Sequence, residues 1–197
     1  GFDYFGGGGL KAPAHKRNNS KNFQGNALEM AKENGYKVVT DRAEFLALKP
    51  GGKVLAYNKW LQDSGALPYD MDRRADQDIS LTEFTQKGIE LLDNPKGFFM
   101  MVEAGKIDWA CHANDGTAAI NDTLAFDRAI QAGVAFYKKH PDETLIVVTG
   151  DHECGGLTLG FAGTKYATNF EVLGHQKISF QKFADEIMPA FKKQEQH

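Results

Sequence analysis

The chain has 197 residues, 42% hydrophobic and 11% aromatic, enough for a packed core in one domain or a large part of one. A formal net charge of −3 gives no electrostatic ground for nucleic acid or an anionic membrane as partner. No window nears the ~18 apolar residues that span a bilayer, Gly1-Phe2-Asp3-Tyr4-Phe5 lacks the marks of a signal peptide, and two cysteines, Cys111 and Cys154, permit one bridge but no disulfide framework.

In chain order, Asp3 to Phe5 is a short aromatic run that ends in Gly6-Gly7-Gly8-Gly9. Residues 26–34 read as a helix with Gly35 as the residue just past its end. "YKVVT", 36–40, is β-branched and aromatic, hence a strand. Asp41 and Glu44 have the spacing of a capping box for a helix through "AEFLAL". Residues 50–79 are irregular apart from a short strand near "KVLAY", and 41–79 is expected to be an insertion. Ser80 and Glu83 form a second capping box, for a helix that ends at Leu92 before Asn94-Pro95.

"GFFMMV", 97–102, is a continuous apolar run, as for a strand buried on both faces. A long helix is predicted over 117–139, with Ile120, Leu124, Ile130, Val134 and Tyr137 on or near its apolar stripe. "ETLIVVT", 143–149, reads as a second fully buried strand. Residues 162–179 are less regular, and 180–193 suit a short amphipathic helix. Strand, helix, strand with apolar strands indicates an α/β fold around a mainly parallel sheet, where ligands bind beyond the carboxyl ends of the strands.

Both apolar runs empty into ionisable residues. "MVEAGKIDWACHAND" places Glu103, Asp108 and His112 after the first; Gly150 leads to Asp151 and His152 after the second. On a helix, Asp108 and His112 at i, i+4 would share one face, about 6 Å apart at Cβ, within reach of one metal ion. Imidazole with carboxylate suits Zn²⁺, and Glu103 alone is a hard oxygen ligand better suited to Mg²⁺. Against this stands the plainer reading of solvated helix and strand ends. Five unpaired ionisable groups gathered at the mouth of a core would be costly, which favours the metal site.

"LTEFTQKGIELLDNPKGFFMMVEAGKIDWACHAND", "FDRAI" and "DETLIVVTGDHECGG" resemble the alkaline phosphatase family, as do "FDYFGGGG", "GYKVVTDRAEFLAL" and "PYDMDR". The resemblance covers roughly residues 2–160. It implies a three-layer α/β sandwich, incomplete here, with 1–197 as part of a single domain and 162–197 as a variable tail. It also implies a phosphomonoesterase with two zinc ions and one magnesium. Carried over by motif, Glu103 resembles the magnesium ligand, Asp108 and His112 two ligands of one zinc, and Asp151 and His152 ligands of the other. Small phosphomonoesters are the implied substrates and the periplasm or extracellular space the implied location, with a homodimer left open.

The departures bear on activity. The family's serine nucleophile stands in an Asp-Ser-Ala context. The one Asp-Ser here, Asp63-Ser64-Gly65, lies in a loop-like segment. The family's bridging Asp, hydroxyl ligand and phosphate-gripping Arg have no matching block, and Arg73 sits in the wrong context. His175 lies downstream in a context unlike that of the last zinc histidine. His15 and His140 read as surface residues. Trp109 and Glu153-Cys154 stand where some members carry other metal-tuning residues. Cys154 is expected to be a small structural residue, and Cys111, beside His112, a thiol that could stray onto zinc in an incomplete site. The expectation is therefore a piece of such an enzyme, inactive by itself. Rival readings are a related two-metal sulfatase or phosphodiesterase, and a non-catalytic module holding one structural metal or none.

Overall fold

The computed structural model describes residues 1–11, 25–63, 65–158, 160 and 162–194. His15, Ser64 and His197 lie outside the described residues.

Three short strands make an all-parallel sheet: β1 (Tyr4–Gly7), β2 (Tyr36–Val39) and β3 (Lys53–Tyr57), in the order β1-β3-β2. Tyr4 pairs with Val54 on one side of β3, and Val39 with Ala56 on the other. The strand near "KVLAY" is thus the central one, and Val54, Leu55 and Ala56 are all buried, as a strand flanked on both sides requires.

Helix α1 (Ala27–Glu33) is capped by Asn26, whose side chain accepts from Leu28 N–H. Helix α2 (Arg42–Leu46) starts at Asp41, which accepts from Ala43 and Glu44 N–H. The expected reciprocal half of that box does not form, because Glu44 turns outward to Lys37, 3.0 Å away. At α3 (Leu81–Leu92) the box is complete: Ser80 caps Glu83 N–H while Glu83 accepts from Ser80 N–H. Buried Phe45 and Phe84 meet edge to face at 5.1 Å, with Val39, Val54, Ala56 and Ile79 around them.

Helices α4 (Gly105–His112) and α5 (Gly116–Tyr137) follow, with α5 packed on α3 and α4. Here the helix forms as predicted but buries a different face. Its buried residues are Thr117, Ala118, Ala119, Asp122, Ala125 and Ala129. Leu124 and Tyr137, from the expected stripe, are 53% and 42% exposed. Small side chains let neighbouring helix backbones come close, and that packing selects the alanine face over the bulkier one. Gly88 on α3 shows the same economy: a Cβ there would stand 2.6 Å from Met100 Cε and 2.7 Å from Tyr4 Cε1.

The two apolar runs depart from expectation. Neither 97–102 nor 143–149 forms a sheet ladder among the described residues. Their side chains alternate. Phe98 packs edge to face on Phe136 at 5.5 Å, and Met100 and Val102 are half-buried, while Phe99 is 87% exposed. In the second run Leu145 is 87% exposed and Ile146 less so, at 38%. The helix layer covers one face of 97–102, whereas 145–149 are exposed throughout among the described residues, so an unbroken apolar sequence does not by itself make a buried strand.

The tail is tied to the core. Phe170–Leu173 is a single helical turn, and residues 180–194 form a helical stretch that widens at Phe183–Ile187. Ser179 is fully buried. No helix is long and apolar enough to cross a membrane among the described residues.

Candidate metal centre

Helix α4 delivers two of the expected ligands. Asp108 and His112 share a face, and Asp108 Oδ1 lies 3.1 Å from His112 Nε2. The helix is seated by Lys106, which is buried with its ammonium 4.3 Å from the Tyr69 ring centre and 4.2 Å from that of Trp109. Burial lowers the Lys106 pKa, and Asp63 and Asp122 work against that shift. Trp109 therefore serves as one wall of this cation box.

The segment after 143–149 delivers the rest. His152 Nε2 lies 3.8 Å from Asp108 Oδ1, and the His112 and His152 rings are 6.2 Å apart. Asp151 Oδ2 reaches 3.6 Å from His152 Nε2, with its side chain otherwise out in solvent. His152 Nδ1 stands 2.9 Å from the Glu153 carbonyl oxygen, an acceptor only, so Nδ1 carries the proton and Nε2 of the neutral ring keeps its lone pair toward Asp108. That carbonyl, then the Asp151 and Asp108 charges, raises the His152 pKa.

Asp108, His112 and His152 thus come together at one place, and Asp151 reaches it only through its neighbour His152. Glu103 does not join them by any contact: its side chain is exposed and lies near its own Gly105. Among the groups that sequence reasoning weighed less, His175 is exposed beyond the Phe170–Leu173 turn, outside this cluster. His140 is less of a surface residue than expected, stacked 4.6 Å from Phe136. Arg73 is bound to Asp70 and to the Asp78 carbonyl.

Cys154, expected to be a small structural residue, lies beside this cluster. A carboxylate oxygen of Asp108, a ring nitrogen of His152 and Cys154 Sγ all lie within 4.8 Å of one another. Cys111, the thiol expected to approach a metal, instead abuts Cys154. Burial, Cys111 and Asp108 push the Cys154 thiol up to about 12. The signal was present in Glu153-Cys154-Gly155-Gly156: a carboxylate that can clamp a tight turn, and a glycine that lets the turn approach a helix.

The donors fit a divalent cation on one observation. Asp108 Oδ1 is buried and has no hydrogen-bond partner, although His112 Nε2 is close by. Two imidazoles and a carboxylate oxygen converge there, and these are the donor types that hold zinc.

The alkaline phosphatase family profile matches residues 4–195. The chain belongs to that family. Alkaline phosphatase 3 of Bacillus subtilis is 39% identical over 139 residues, 70% of this chain and 29% of that protein. Alkaline phosphatase 4 of the same organism is 36% identical over 161 residues, 81% of this chain and 32% of that protein. The chain thus spans about a third or less of the length of these curated relatives. Among solved structures, Thermus thermophilus alkaline phosphatase superposes with a TM-score of 0.73 at 28% identity, covering 93% of this chain and 38% of that one. The cold-active alkaline phosphatase of Shewanella sp. gives 0.70 at 32%, covering 88% and 39%. The fold is accordingly α/β and alkaline phosphatase-like, present in part.

Proposed function

We propose that this chain carries the metal-holding part of a phosphomonoester hydrolase centre. In this reading Asp108 and His112 hold one zinc, Asp151 and His152 a second, and Glu103 a magnesium. Bound there, the cations supply Lewis acidity, which neutralises charge on the phosphoryl group and lowers the pKa of a reacting oxygen. The chain's own residues do the positioning. Helix α4 fixes Asp108 and His112 on one face, the Lys106 box seats that helix, and the Glu153 carbonyl sets the His152 tautomer. Small phosphomonoesters are the proposed substrates, in a periplasmic or extracellular setting.

The observation that carries this reading is the meeting of α4 and the Asp151-His152 segment at Asp108 Oδ1. No Asp-Ser-Ala block occurs in the sequence, and we propose that these 197 residues by themselves do not turn over phosphate esters. Two measurements test this. Zinc titration by calorimetry is expected to show binding that His152→Ala and Asp108→Ala each weaken by about tenfold or more, about 1.4 kcal/mol. Hydrolysis of p-nitrophenyl phosphate at alkaline pH with added Zn²⁺ and Mg²⁺ is expected to be absent; turnover that Asp151→Ala abolishes would refute the inactivity.

A further inference from the structure

We propose that Cys111 and Cys154 are a disulfide site: oxidation joins them in a bridge that fastens the 151–156 turn to the end of α4. The inference concerns the two thiols rather than the metal ligands, and it goes beyond the phosphatase reading.

The chain has two cysteines, 43 residues apart, and folding brings them together. Both are free and half-buried, and their thiols share a hydrogen bond. The backbones meet as well. A Cβ on Gly155 would stand 2.7 Å from Cys111 Cβ and 3.1 Å from Cys111 Cα, so the turn that carries Cys154 lies on α4 where Cys111 sits. Glu153 Oε1 accepts from Gly155 N–H at 2.9 Å and from Gly156 N–H at 2.6 Å, which holds the turn in that pose without help from the thiol. A bridge needs two sulfurs brought within reach by backbone that is already in place, and this pair meets that need. An open cavity of about 230 Å³, lined by Cys111, Asn114, Gly155 and Leu157 among others, gives a small reagent access to the pair.

The oxidant is a low-molecular-weight disulfide. One cysteine, as its thiolate, attacks a sulfur of the reagent and expels one small thiolate. The second cysteine attacks the mixed disulfide and expels the other. Two S–H bonds break and one S–S bond forms; the protein loses two electrons and two protons, and the reagent takes them up as two small thiols. Thiolate fraction governs the rate of this exchange, while the nearness of the two sulfurs governs its end point. The bridge replaces the hydrogen bond that the Cys154 thiol gives to Asp108. In the oxidising setting proposed above such a bridge persists, and the test does not depend on that setting.

The test equilibrates the 197-residue protein with reduced and oxidised glutathione, natively and in concentrated urea, quenches with acid, and maps unreduced peptides by mass spectrometry. A linked Cys111 and Cys154 peptide is expected natively, at a bridged-to-open ratio about tenfold or more above that in urea, because contact in the fold raises the effective concentration of the thiols. A ratio no higher than in urea overturns the proposal, and so do glutathione adducts or chain-to-chain dimers in place of the link. Hydrogen exchange tests the fastening. The Gly155 and Gly156 amides are expected to exchange more slowly in the bridged protein than in Cys111→Ser, and equal rates overturn that role. Zinc enters neither readout, so failure here leaves the metal-centre reading standing.

Discussion

Ser179 and Asp72, 107 residues apart, are locked together in the interior. Asp72 Oδ1 accepts from Ser179 N–H at 2.9 Å, and Oδ2 accepts from the Ser179 hydroxyl and from Gln62 Nε2. Nearby, Asp115 Oδ2 accepts from Phe180 N–H at 2.7 Å. Two buried carboxylates therefore fasten the tail to the core through its backbone.

Removing the Ser179 hydroxyl tests that clasp. Ser179→Ala takes one donor from buried Asp72 and removes the cap that accepts from Lys182 N–H. The expected cost is about 1–3 kcal/mol, seen as a lower denaturation midpoint in urea. An unchanged midpoint would mean that the Ser179 hydroxyl adds nothing beyond the backbone bonds that hold the tail.

Asp122 makes stability fall as pH rises. Burial, with Asp70 and Asp72 close by, raises its carboxyl to about 7. The folded state therefore holds a proton that the unfolded state releases near pH 4, and that contribution is lost as pH climbs to 7. In Asp122→Asn it is absent, and the amide oxygen can still accept from Asp70 N–H. The variant is expected to gain on the parent across pH 4–7, by at most about 1.4 kcal/mol per pH unit. Parallel stability curves by thermal melts would contradict this.

Asp78 has the opposite sign. Burial would raise its carboxyl, but hydrogen bonds and charge from Arg74 hold it below the usual range. Its contribution is present above the unfolded value, about 3.9, and disappears as pH falls through the lower folded value. Arg74→Ala is expected to cost about 1–2 kcal/mol at neutral pH, allowing for the guanidinium's exposure, and less below pH 4. Chemical denaturation at pH 7 and pH 3.5 checks it; a cost that does not shrink in acid would refute the pairing.

Gly88 tests the contact between α3, β1 and the 97–102 run. Gly88→Ala adds a Cβ against Tyr4 and Met100, and Met100 can swing aside more readily than the Tyr4 ring, whose hydroxyl is fixed to the Phe84 carbonyl at 2.8 Å. A loss of about 1–3 kcal/mol is expected. A variant stabilised by its better helix propensity would show that the helix can back away.

Local elements were legible in the sequence because their signals are local. Asn26, Asp41 and Ser80 start helices through hydrogen bonds to residues two or three positions away, and the i, i+4 spacing of Asp108 and His112 needed only a helix to put them on one face. The family was legible too, since "MVE…ID…H" and "TGDHE" are short motifs. Tertiary structure decided what periodicity cannot encode. It chose the alanine face of α5 because helix approach rewards small side chains. It left Phe99 and Leu145 uncovered because burial depends on what lies opposite, and it laid the Glu153–Gly156 turn on α4, bringing Cys154 beside Asp108 from 46 residues away.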